Sequence, residues 1–99
     1  MSTLITEIEI PNATEVVTTD DTLTVNLEDG RTLSVPLAWF PRLLYGTQKE
    51  RDNFRLIGHG AGIHWPDLDE DISIKGLLAG HRSGESQESL KKWLDSRKL

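Results

Sequence analysis

Residues 22–37 read TLTVNLEDGRTLSVPL, and the way their apolar residues alternate points to the fold class. Leu23, Val25 and Leu27 alternate with polar residues, as do Leu33, Val35 and Leu37, so each run is predicted to be a strand with one buried face. Asp29-Gly30 between the runs marks a hairpin. A two-residue turn there would pair Leu27 with Thr32 and send the two apolar sets to opposite faces, which a sheet with one buried side cannot accept. A three-residue loop over residues 28–30 pairs Val25 with Leu33 instead, and puts Gly30 where a left-handed backbone and a bulge are needed.

Upstream, a further strand around residues 15–19 leads into the hairpin through a turn at Asp20-Asp21. Ile8 and Ile10 extend the sheet or form an N-terminal arm, and Pro11 ends whichever they form. Downstream of Pro36 the period changes. Pro41 suits the first turn of a short helix containing Leu43 and Leu44, and Gly46 ends it. Thr47 and Glu50 make a capping box for a second short helix reaching about Asn53. The segment FRLI, 54–57, returns to extended structure, and GHGAGIHW, 58–65, turns back with Ile63 and Trp65 on one face, giving two more strands. Ser73 is read as the N-cap of a last short helix, IKGLLAG, with Glu70 and Asp71 near its positive end and Gly80 just past it.

The expected fold is α+β: a small antiparallel sheet, a meander, packed with short helices, plus a C-terminal helix. Residues 1–80 are read as a single α+β domain, and 81–99 as a linker, HRSGE, followed by an amphipathic helix. In SQESLKKWLDSRKL, Leu90, Trp93 and Leu94 recur at helical spacing, with Ser86 as N-cap and Lys91 and Lys92 on the other face. So narrow a stripe must dock on its own domain, on a second copy or on another protein.

Composition excludes more than it assigns. Ninety-nine residues support one modest core. With no cysteine the chain has no disulfide framework and no thiolate nucleophile. No segment approaches the roughly 20 apolar residues of a membrane span, and MSTLITEIEI lacks the basic flank of a signal peptide, so a cytoplasmic location is expected. The net charge of −5 is unevenly spread: no Lys or Arg precedes Arg31. A chain acidic over most of its length repels phosphate, which disfavours nucleic-acid binding.

The densest chemistry is GIHWPDLDED, 62–71. His59 and His64 beside Asp67, Asp69, Glu70 and Asp71 are raw material for a metal site, but two His five apart across a glycine turn do not aim at one ion, and the acids do not follow a calcium-loop spacing. The plainer role of Asp69 and Asp71 is to satisfy backbone N–H groups of the turn and of the following helix. Catalysis by His64 with Asp67 or Asp69 is conceivable, but the chain has no Cys, no Ser in an elbow setting and little bulk to build a pocket. Gly58, Gly60 and Gly62 are read as a tight turn, since neither phosphate-loop pattern is completed. The aromatic residues Trp39, Phe40, Tyr45 and Trp65 are core material, or else Trp39 and Trp65, flanked by Pro41 and Pro66, line a groove for a basic partner.

Several of these segments together resemble a known family. DGR at 29–31, PLAWFPRLL at 36–44, the T-x-x-E-R segment at 47–51 and above all GAGIHWPDLDEDISIKGLLAG at 60–80 are similar to the bacterial small proteins called domain of unknown function 2442, over roughly residues 14–95. The resemblance implies an α+β domain on a small antiparallel sheet, with no assigned cofactor or catalytic residue. It also implies a partner encoded nearby, in an antitoxin-like or regulatory role. The expectation is therefore a non-enzymatic interaction module that needs no cofactor and no metal and binds another protein or a second copy of itself. Its contacts are expected among Trp39, His64, Trp65, Asp67, Asp69, Glu70, Asp71, Leu90, Trp93 and Leu94. The alternative is a metal- or small-ligand-dependent enzyme centred on His64 and the nearby carboxylates.

Overall fold

The computed structural model describes residues 9–97, so Ile8 lies outside the described residues. Three strands, β1 (Ala13–Thr18), β2 (Thr22–Leu27) and β3 (Thr32–Pro36), form an antiparallel meander in chain order. The register is the one the apolar pattern requires: Val25 faces Leu33 and Leu23 faces Val35. The Leu27 N–H donates to the Arg31 carbonyl across a three-residue loop, and Gly30 sits at φ +95°, a left-handed position that a side chain would strain. β1 begins two residues earlier than the pattern suggested, because the register shifts between Ala13 and Glu15 and Ala13 still pairs with Leu27.

Leu37 closes the sheet in a single 3-10 turn (Leu37–Trp39), which leads into helix α1 (Pro41–Leu44) with Pro41 in its first turn. Helix α2 (Gln48–Asp52) starts on the expected capping box: the Thr47 hydroxyl accepts from the Glu50 N–H at 3.1 Å, and the Glu50 carboxylate accepts from the Thr47 N–H at 2.9 Å.

A second antiparallel meander follows, with β4 (Arg55–Ile57), β5 (Gly62–Trp65) and β6 (Glu70–Ser73) again in chain order. The fold is thus α+β as expected, on two three-stranded sheets instead of one. Here the structure adds to the sequence reading: Glu70 and Asp71 lie in a strand, β6, opposite Trp65 and His64, and that strand runs directly into the next helix. The strand escaped notice because three consecutive acids hide its one apolar contact, Ile72. Helix α3 (Ile74–Leu78) is capped by the Ser73 hydroxyl, which accepts from the Gly76 N–H at 2.9 Å, so no carboxylate is used there.

The two meanders share one core. Val16, Leu23, Val25, Leu27 and Val35 of the first pack with Ile63, Trp65, Leu68 and Ile72 of the second, and with Phe40, Leu43, Ile74 and Leu77 from between and after them. Burying a side chain of this size contributes about 1.5–3 kcal/mol. The sheets meet at Gly60, where an added Cβ would stand 2.5 Å from the Ala13 carbonyl; with φ at +100°, only glycine fits. Residues 81–85 are irregular, and helix α4 (Gln87–Ser96), capped by the Ser86 hydroxyl as expected, completes the described chain.

Candidate functional site

The alternation of β5 sorts the central block into two faces. Ile63 and Trp65 point inward and are fully buried, while His64 points outward. Residues 66–69 then form a tight turn whose last member, Asp69, adopts φ +50°, a conformation Asp tolerates better than most side chains. Leu68 in the same turn is fully buried, and Ile72 of β6 nearly so. Every apolar residue from Ile63 to Ile72 that can reach the core has done so. What the block shows to solvent is carboxylate: Asp67, Asp69 and Asp71 are exposed, Asp69 at 89% and Asp71 at 68% of their side chains.

Each acid has a distinct neighbour. Asp71 meets His64 across the β5–β6 pair, with Oδ1 and the imidazole Nδ1 2.5 Å apart. Asp67 accepts from the Asn53 side-chain amide at 2.9 Å. Asp69 stands 3.8 Å from the Arg42 guanidinium. Glu70 is the exception, half-buried and lining a cleft of about 220 Å³ with Phe40, Leu77, His81 and Arg82. Burial pushes its carboxyl up to about 7, opposed by the attraction of Arg42 and reinforced by Glu85, Asp71 and Asp69. Among the described residues no three His, Asp or Glu side chains converge as a metal site would require.

The aromatic candidates separate. Trp65 is 0% exposed and its indole N–H donates to the Arg51 carbonyl at 2.9 Å, so this residue is a core member and leaves the partner surface. The groove between Trp39 and Trp65 therefore does not form. Trp39 is half-buried, with the Arg82 guanidinium 4.5 Å from its ring centroid. Trp93, Leu90 and Leu94 are partly covered, and the helix that carries them docks in cis. Leu90 and Leu94 border an open apolar groove with Tyr45, which stays 55% exposed.

Two arginines organise this region, and sequence reasoning passed over both. Arg51, only 6% exposed, donates to the carbonyls of Leu43 and Gly46 at 3.0 and 2.7 Å and to the Gln48 side chain at 3.1 Å, tying α1 to α2. Arg42 donates to both carboxylate oxygens of Glu85, at 2.6 Å for its shortest bond, and to the Leu68 carbonyl at 3.3 Å. Only Arg51 had a local signal, since in the T-x-x-E-R segment it follows a short helix whose end carbonyls need a donor.

These features define a class: a small α+β domain of two meanders with an acid-bearing turn on the second. The chain belongs to the family described as protein of unknown function DUF2442, whose model matches residues 13–83. The match ends short of the SLKKWL segment, so α4 lies beyond it. A crystal structure of a protein of unknown function from Rhodospirillum rubrum is similar at 28% identity and a TM-score of 0.66, covering 78% of this chain and 95% of that one. A solution structure of an uncharacterised protein from Chromobacterium violaceum shares the fold at 20% identity and a TM-score of 0.63, covering 82% and 74%. No protein of curated function matches the chain. Among the described residues no helix is long and apolar enough to cross a membrane.

Proposed function

We propose that this chain is a non-enzymatic protein-interaction module of the cytoplasm, an antitoxin-like or regulatory partner of a protein encoded beside it. The surface it presents is the edge formed by Asp67, Asp69 and Asp71. One observation carries the reading: in the block that most marks the family, Ile63, Trp65, Leu68 and Ile72 are buried while these three carboxylates are exposed. Complementarity to such an edge calls for a protein partner rich in Lys or Arg, and it favours fast, salt-dependent association. Affinity purification of the tagged chain from its native host tests this. A basic protein recovered in fixed stoichiometry, released as salt rises, is the expected result; the chain alone with a monomeric mass is the contrary one.

A second reading is favoured by the His64–Asp71 contact. A carboxylate accepting from Nδ1–H orients an imidazole and leaves Nε2 free to take a proton, which is the arrangement of a general base. In the enzymatic alternative the pair would serve a metal- or small-ligand-dependent reaction. One equivalent of metal in the purified protein, lost in His64→Ala, would favour it over the first.

A further inference from the structure

Among the described helices α4 alone contains no buried residue, and it begins beyond the segment that matches the family. A ten-residue helix is marginal in isolation, so something must hold it. Leu90 and Leu94 of its apolar stripe border an open groove, and Trp93 alone packs against the core. Two ion pairs add to that contact. Two guanidinium groups lie over the Trp93 ring, Arg42 at 5.1 Å and Arg97 at 4.6 Å from its centroid. Arg42, in α1, pairs with Glu85, which precedes α4; Arg97, which follows α4, pairs with Glu50 in α2 at 2.6 Å. The two ion pairs cross the same boundary in opposite directions and close on one tryptophan.

We propose that α4 is a detachable cover, latched over the α1–α2 face through Trp93 by the Arg42–Glu85 and Arg97–Glu50 pairs, and that its release exposes Arg42 and Glu50. Packing of apolar side chains hardly responds to salt, whereas these two ion pairs keep 11–27% of their side-chain surface in water and so feel it, though less than a fully exposed pair would, which sets this latch apart from the core. Arg42 also faces Asp69 and Glu70, so Glu85 competes for its guanidinium with the carboxylates of the second meander.

That competition gives the latch a pH window. The groups facing Glu70 are Arg42 from α1, Asp69 and Asp71 around the start of β6, and Glu85 from the connector, with His81 and Arg82 on the same cleft. Release takes the Glu85 carboxylate away from Arg42 and from Glu70, which lowers the Glu70 carboxyl from about 7. A group whose value is raised by docking favours docking below its released value and loses that contribution as pH rises through about 7. Glu85 and Glu50 run the other way: hydrogen bonds from Arg42 and Arg97 hold them below the ordinary range, so their contribution is lost on acidification. Docking is therefore strongest between these limits.

Amide hydrogen exchange of the full chain, read by NMR, tests the proposal, with amides of β2 and β5 reporting global opening. At about pH 6, raising NaCl from about 0.01 M to about 1 M shortens the screening length from about 30 Å to about 3 Å and is expected to lower α4 protection about tenfold while β2 and β5 keep theirs. Glu85→Gln is expected to reproduce that loss at low salt. Glu70→Gln is expected to keep the salt response and abolish the loss on the alkaline side. Exchange of α4 together with the sheets as one unit overturns the latch, as does α4 protection indifferent to both salt and Glu85→Gln. An alkaline loss that persists in Glu70→Gln overturns the pH window.

Discussion

In the first meander the strands run five or six residues, and Val16, Leu23, Val25 and Val35 bury themselves from alternate positions; in the second they run three or four, and burial falls on Ile63, Trp65, Leu68 and Ile72. The connectivity is the same. The outward faces differ. β2 and β3 show Thr24 and Ser34, hydrogen-bonded to each other at 3.0 Å, whereas β5 and β6 show the His64–Asp71 pair beside two further exposed aspartates. A long, regular sheet spreads its stability over many small contacts and leaves its surface bland. A short one concentrates stability in one large side chain and leaves room at its turn for charge.

Removing that side chain should show the contrast most strongly. Trp65→Ala deletes a fully buried ring, its bond to the Arg51 carbonyl and its tilted contact with Phe54 at 6.5 Å. It is expected to cost about 3–5 kcal/mol, a large share of a small domain's stability of about 5–15 kcal/mol, read by urea unfolding. In the first meander Leu23→Ala is expected to cost less, about 2–4 kcal/mol in the same measurement, because Val25, Leu27 and Val35 still close the layer. If Leu23→Ala costs more than Trp65→Ala, stability is not concentrated as argued.

The junction between the sheets comes next. Gly60→Ala meets the Ala13 carbonyl at a backbone conformation alanine resists, and should cost about 1–3 kcal/mol by thermal unfolding. The smallest effect belongs to the outward face: His64→Ala, which removes a side chain outside the buried core and its contact with the exposed Asp71, should change stability by no more than about 0.5 kcal/mol. A larger loss would make the His64–Asp71 pair a fold determinant and weaken its claim to be an available surface.

The same contrast explains what could be read from the chain. The first meander was legible down to register, since Leu23, Val25, Leu33 and Val35 leave a single pairing that buries one face and Gly30 marks the loop. The capping box of Thr47 and Glu50 and the cap of Ser73 were equally local. β6 was not legible, because Glu70 and Asp71 are poor strand formers and only pairing with Trp65 and His64 makes them extended. The Arg42–Glu85 pair was hidden for a different reason: it joins positions 43 residues apart, and no local pattern encodes such a distance.

The exposed carboxylates of the second meander are proposed as a protein-binding edge. Parallel affinity purifications from the native host, one with the unaltered chain and one with Asp67→Asn, Asp69→Asn and Asp71→Asn combined, test it most directly when the retained proteins are quantified by mass spectrometry. Circular dichroism would verify that both chains are folded. A basic protein held by the unaltered chain and depleted about tenfold, equivalent to about 1.4 kcal/mol, on the variant is the expected result. Retention of the same proteins in equal amount on both, or of none on either, would contradict it.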